Sequence, residues 1–296
     1  MYIKTATTIE EQIAKLRKRG LTISDEDKAK EILSDIGYYR LGFYWFPYEK
    51  GYPKKNKRNH QFVPGAKFED AVALYYFDND LRNILAPYLH RIEVSFRTSI
   101  IYIVSNHYKK NPTWFADPKI IESGFIADLP RFYSDIRKNE AIKRHHQKYI
   151  NDIYAPAWKS LEYMTFGNML YLFENIKDES VKEAIRKKFN VSNLEAFISQ
   201  MRTIRTIRNV CAHGHNLFDL KFHTPIKVGE LKGLNAMQRS TISGGLIVIV
   251  SILKSISENR SKELVAKING LLTAAEFASL QTIISRISIT PAKSKK

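Results

Sequence analysis

Between Phe68 and His107 the chain reads FEDAVALYYFDNDLRNILAPYLHRIEVSFRTSIIYIVSNH, and this stretch decides the fold class. Leu74, Phe77, Leu81, Ile84, Leu85, Leu89, Ile92, Phe96 and Ile100 recur mainly at steps of three and four, which lines them along one face of an α-helix. The pattern predicts one long helix or two in tandem, with Pro87 as a kink or a helix start.

The same period extends outward in both directions. Ile9, Ile13 and Leu16 give a short amphipathic helix stopped at Arg19-Gly20. Ala29, Ile32, Leu33 and Ile36 give a second, with Ser24 as its expected N-cap and Asp25, Glu26 and Asp27 in the first turn, where the helix dipole favours negative charge. Phe125–Tyr149 reads as helical and basic, and Pro156 opens a helix through Trp158, Leu161, Met164, Leu170 and Leu172. Val181–Phe189 is a short helix and Asn193–His213 a longer one. Met237–Ile256 reads as an apolar helix, and Thr273–Ile287 as a last one after a turn at Asn269-Gly270. Asn216–Gly233 is irregular, with room for a small strand pair. No alternation is long enough for a major sheet, so the class is all-α.

Glu49–Gly65 is polar and basic, holding Lys50, Lys54, Lys55, Lys57 and Arg58 among Gly and Pro, and reads as an exposed loop or short hairpin. It is either a solvated linker or a phosphate-contacting segment. It separates an N-terminal helical extension (1–65), whose aromatic run Tyr38–Tyr48 is chiefly core, from an all-helical core (66–290) and a basic tail (291–296).

Charge narrows the partner class. The 296 residues hold 47 Lys+Arg and 30 Asp+Glu, a net +17, which attracts polyanions, nucleic acid first and anionic membrane second. The single cysteine, Cys211, excludes an intramolecular disulfide framework and a Cys-rich zinc module, so a reducing, cytoplasmic setting is expected. Met1–Glu10 lacks the pattern of a signal peptide, and the uncharged run Ser240–Leu253 is too short to span a bilayer. A soluble protein with no membrane role follows as the expectation.

The chemistry is concentrated on the Asn193–His213 helix. Leu194, Phe197, Ile198, Met201, Ile204, Ile207 and Cys211 form its apolar face. Arg202, Arg205, Asn209 and His213 step along another, with Arg208 beside them and Gly214, suited to a left-handed C-cap, just after. Cleavage of RNA by its own 2′-hydroxyl needs a group that moves protons near neutral pH, which histidine does. It also needs a fixed cationic fork for the phosphoryl oxygens, which arginine supplies. No metal or other cofactor is required. An Arg followed by His in such a window arises about 1.4 times by chance in a chain of this composition, so the bare pair is weak. The full string Arg208-Asn209-Val210-Cys211-Ala212-His213 at a helix end is more selective.

That string resembles the Arg-x4–6-His signature of HEPN-domain proteins, often metal-independent ribonucleases. More of the chain resembles the abortive-infection (AbiD/AbiF-like) branch of that superfamily. The matching blocks are Arg19-Gly20-Leu21, Tyr38-Tyr39-Arg40-Leu41, Leu74-Tyr75-Tyr76-Phe77-Asp78-x2-Leu81-Arg82, Arg91-Ile92-Glu93-Val94-x2-Arg97 and Pro156-x-Trp158-x3-Glu162. They span most of residues 10–220. The resemblance implies a HEPN-like helical bundle with a small N-terminal helical extension, a homodimer whose two Arg/His motifs share one composite cleft, and a phage-defence toxin acting on RNA. Some relatives pair with a small structured antitoxin RNA. Carried over, Arg208 holds the scissile phosphate, His213 is general acid/base and Asn209 orients the cleft.

Plainer readings stand beside these. Asn209 caps or pairs across a dimer, and His215, which also fits the spacing, is a loop residue if it is not a ligand. Arg202 and Arg205 are either RNA contacts or a solvated face. Glu93 and Arg97, four apart, form an intrahelical salt bridge or buttress the cleft, and Glu162 has the same two readings. The adjacent imidazoles of His145-His146 point apart and lack a third ligand, so Arg144 and His145 read as RNA-facing surface, not a metal site. Cys211 reads as a core filler. The alternative function is a non-catalytic protein docking a structured RNA in the same basic groove.

Overall fold

The computed structural model describes residues 5–54, 56, 58–231 and 233–290; Lys55, Lys57 and the basic tail lie outside them. Among the described residues there are fourteen α-helices, no β-strand and four isolated bridges, so the protein is all-α. In chain order the helices are α1 (Ile9–Lys18), α2 (Glu26–Asp35), α3 (Tyr38–Leu41), α4 (Phe68–His107), α5 (Ser123–Ile136), α6 (Glu140–Lys148), α7 (Ala157–Ser160), α8 (Phe166–Glu174), α9 (Glu179–Lys188), α10 (Leu194–Ala212), α11 (Ala236–Arg239), α12 (Ile242–Ile256), α13 (Glu258–Leu272) and α14 (Gln281–Ile284).

The decisive stretch is one continuous helix of 40 residues, α4, with Pro87 inside it. Leu74, Phe77, Leu81, Leu85, Leu89, Ile92, Phe96 and Ile100 are all buried, as their spacing requires. The chain gathers into two compact units. One comprises the described residues up to Asn83 with Gly214–Asp219 and Lys267–Ile287. The other comprises Ile84–His213, Leu220–Ala266 and the described residues from Ser288.

In the first unit, α1 starts at a capping box in which Thr8 and Glu11 satisfy each other's backbone amides. It packs on α2 through Ile13, Leu16, Ala29 and Leu33. The cap of α2 is Asp25, not Ser24: the Asp25 carboxylate accepts from the Lys28 amide at 2.9 Å. Ser24 instead donates its own amide to Glu69. The ends of Glu49–Gly65 pair as a short hairpin does: Glu49 and Phe62 form an antiparallel bridge, the Lys50 amide donates to the Gln61 carbonyl at 2.8 Å, and the buried Glu49 binds Arg58. Arg58 also lies 4.4 Å over the Phe46 ring.

The core of the second unit is aromatic. Phe96 on α4 sits within 5.6–6.3 Å of the rings of Phe166 and Phe173 on α8, Phe189 after α9, and Phe197 on α10. Four expectations fail in the C-terminal third. The run Met237–Ile256 is divided: Asn235 and Gln238 close a capping box on α11, and α12 starts anew after an extended Thr241. The Asn269-Gly270 turn is absent, because α13 continues through it with Leu264, Ile268 and Leu271 on its buried side; one glycine costs a helix only about 1 kcal/mol. Beyond it, Ala275–Leu280 is 3-10 helix and α14 a single turn. The strand pair in Asn216–Gly233 reduces to one bridge, Lys221 with Thr241.

Candidate functional site

The site is built on α10. The Asn193 side chain caps its first turn, accepting from the Ala196 amide at 2.8 Å. Phe197, Met201, Ile204 and Ile207 are fully buried and fix the rotation of the helix. That rotation leaves Arg202 and Asn209 exposed and Arg205 and Arg208 half-buried. His213 closes the helix as its C-cap, its amide donating to the Asn209 carbonyl at 3.0 Å, and its side chain is exposed. Gly214 follows with φ +63°, the left-handed conformation expected of it.

Arg208 is aimed by a buried relay. Its Nε donates to Glu93 Oε2 at 3.2 Å, and Nη1 to Asn209 Oδ1 at 3.4 Å. The Glu93 side chain is 7% exposed. Its other oxygen accepts from Arg97 Nη2 at 3.0 Å, and the same nitrogen reaches the Met164 carbonyl at 3.0 Å. One carboxylate thus holds two guanidinium groups, one buried and one facing outward. The Glu93–Arg97 pair is the intrahelical ion pair that the spacing suggests, and Glu93 binds Arg208 as well.

The other expected contacts fall in different places. Arg202 forms a two-pronged pair with Glu174 at the end of α8, at 2.8 and 2.7 Å. It also lines a groove of about 530 Å³ with Lys221, His223, and the ion-paired Lys227 and Glu195. The Arg205 stem lies along α8 beside Gly167. His145 is 5% exposed and bound to Asp152 at 3.0 Å at the wall of a second groove, while Arg144 is exposed. Glu162 is exposed and lines the same groove with Arg144; it is Met164, two residues on, that supports Arg97. Lys54 is exposed, and Arg58 is committed to Glu49. Cys211 is half-buried. Among the described residues no group of three or more His, Cys, Asp or Glu is placed to hold a metal ion.

His215 belongs with the first unit, where a cluster unforeseen from sequence fixes residues 214–219. Asp78 is fully buried and accepts from the Leu217 amide at 3.0 Å, the Phe218 amide at 2.6 Å and the Tyr44 hydroxyl at 2.9 Å. Arg82 bonds Asp78 and donates to the His215 carbonyl at 3.0 Å. Burial raises the Asp78 carboxyl above its usual range, while Arg82, the two amides and Tyr44 pull it back toward ionisation. Arg40 adds a bond to the Gly214 carbonyl at 3.2 Å. The signal available in sequence was an acid four residues before an arginine inside an apolar helix face.

A family model described as Abi-like protein matches residues 31–219 of the chain. Comparison with curated proteins and with solved structures finds no match. Among the described residues no helix is long and apolar enough to cross a membrane.

Proposed function

The chain belongs to the Abi-like protein family, whose role is abortive infection in phage defence, and from that premise we propose that it is a metal-independent endoribonuclease of the HEPN type. The observation that carries the proposal is the Arg208 guanidinium fixed by the buried Glu93 on the same helix that ends in the exposed His213. One hydrogen-bonding edge of Arg208 is held from behind, and Nη2 remains for a phosphate oxygen.

In the proposed reaction, His213 takes the proton of a ribose 2′-hydroxyl. The 2′-oxygen attacks the adjacent phosphorus, and the bond from phosphorus to the 5′-oxygen breaks. His213 of a second copy, protonated, gives its proton to that leaving oxygen, and a 2′,3′-cyclic phosphate remains. Arg208 stabilises the charge that builds on the phosphoryl oxygens. Five residues along an α-helix correspond to about 140° of rotation and about 7.5 Å of rise. Arg208 and His213 therefore leave one helix on different sides, which favours a dimeric cleft where two copies act on one phosphate. The +17 charge supports RNA as the polyanion, from a target transcript to a small antitoxin RNA.

The test compares the full-length protein with His213→Ala on labelled RNA. Loss of cleavage with RNA binding and thermal midpoint unchanged is the expected result. Cleavage that survives the substitution removes His213 from the mechanism. Tight, salt-dependent binding by the wild-type protein without any cleavage shifts the reading to an RNA-docking protein.

A further inference from the structure

Outside the Arg208 site, the second unit carries a groove of about 540 Å³ lined by Arg144, Lys148, Lys159, Tyr149, Trp158 and Tyr163. Its volume lies within the range of about 300–1,000 Å³ that takes a small organic ligand or a nucleotide. Three exposed cations line it against the single carboxylate of Glu162. Among them stand three aromatic rings that proteins ordinarily bury: Trp158 is 51% exposed, Tyr149 45% and Tyr163 43%. Trp45 and Trp114, in contrast, are 2% and 0% exposed.

These rings are exposed on rigid supports. Trp158 and Lys159 lie on α7 between Ala157 and Ser160, both fully buried. The Ala157 amide bonds the Pro112 carbonyl at 2.8 Å, and the Ser160 hydroxyl bonds the Ala155 carbonyl at 2.7 Å. Among the described residues neither Trp158 nor Tyr163 packs on another ring, whereas Tyr149 packs on the His145 ring at 4.9 Å and has the Lys148 ammonium 5.4 Å from its centroid, so Trp158 and Tyr163 are the open faces. Aromatic faces interleaved with cations, held open by a fixed backbone, form the arrangement that stacks bases while holding the phosphates between them. An acidic peptide would use the cations and leave the rings idle.

The groove is also next to the proposed chemistry. Tyr163 lines it, and the next residue, Met164, gives its carbonyl to Arg97, the arginine that shares Glu93 with Arg208. Consecutive Cα atoms are about 3.8 Å apart, so the groove and the relay meet at one peptide bond.

We propose that Trp158, Tyr163 and Tyr149, with Arg144, Lys148 and Lys159, form a base-stacking subsite for single-stranded RNA flanking the scissile phosphate. This rests on the reading of the protein as RNA-acting. Trp158 is the exposed tryptophan of the three, so its fluorescence reports the groove. The experiment titrates the full-length protein with a single-stranded oligouridine and follows both fluorescence and anisotropy of labelled RNA. Quenching that saturates with binding, about tenfold or more weaker affinity for Trp158→Ala, and near-complete recovery in Trp158→Phe are the expected results. Lys159→Gln should lower the salt dependence of binding by about one phosphate contact. RNA that binds wild type and Trp158→Ala equally, without quenching, overturns the subsite and leaves the RNA reading standing. No binding by wild type overturns both. A Trp158→Ala protein that changes oligomeric state in solution while keeping its RNA affinity makes the groove an interface between copies, and the subsite is wrong.

Discussion

Glu93 is the residue on which two arginines depend, and substituting it separates a support from a bystander. Glu93→Gln removes the charge from a site where Arg97 is only 9% exposed, which leaves a buried guanidinium uncompensated. Breaking such a pair costs about 3–5 kcal/mol, measurable by urea unfolding. RNA cleavage assayed well below the unfolding midpoint should fall as well, because Arg208 loses its anchor. Unchanged stability would mean that Arg97 finds another partner. Arg208→Lys should lower turnover roughly 100- to 1,000-fold, since a lysine cannot present a fork from Glu93 toward phosphate. At this scale the sequence was partly transparent. An acid and an arginine four apart announce their pairing, and Arg208 stands out within its motif. The bond between Arg208 and Glu93 closes over 115 residues of chain, and local spacing carries no trace of it. For the same reason His145 looks like a basic surface residue until Asp152 is found against it.

Among the elements, α12 shows what periodicity leaves out. Gly244, in the first turn of the helix, lies so close to α11 that a Cβ there would fall on the Gln238 carbonyl oxygen, whereas one at Gly245 would meet the flexible end of Ile207 on α10. Gly244→Ala should therefore cost about 1–3 kcal/mol, and Gly245→Ala less; calorimetry of the two variants checks the order. The junction is the polar run Gln238-Arg239-Ser240-Thr241, where Asn235 and Gln238 cap α11 and the extended Thr241 restarts the chain, and four polar residues beside a long apolar stretch are easily read as one face of a single helix. A pH effect belongs to α6. Tyr133 accepts the Ala155 amide at 2.7 Å and its hydroxyl lies 2.8 Å from His146 Nε2, a geometry in which the hydroxyl donates to a neutral imidazole. Burial holds the His146 pKa below its ordinary value, with Arg137 and His145 adding to the shift. The unfolded chain then binds that proton more readily than the folded one, so this contribution is constant above about pH 6.5 and stability declines as pH falls below it. His146→Gln should flatten the decline measured between pH 7 and pH 5.

Across the whole molecule, helical class was readable from one 40-residue stretch, but the assembly of the chain was not. The unit that holds the described residues up to Asn83 takes in Gly214–Asp219 and Lys267–Ile287. For the first of these segments the adhesive is Asp78, whose burial with two backbone amides depends on partners about 140 residues away. The charge of +17 acts at this scale too. A single-stranded RNA held through about six phosphates should lose roughly 300-fold in affinity between 50 and 200 mM salt, a slope that filter binding resolves. The central claim, RNA cleavage by Arg208 and His213 without a metal, is tested most directly by the ends of the product. RNA incubated with the full-length protein in excess EDTA should yield fragments with 2′,3′-cyclic phosphate and 5′-hydroxyl ends by mass spectrometry, and none with His213→Ala. Products ending in 3′-hydroxyl and 5′-phosphate, or cleavage that stops in EDTA, would contradict it.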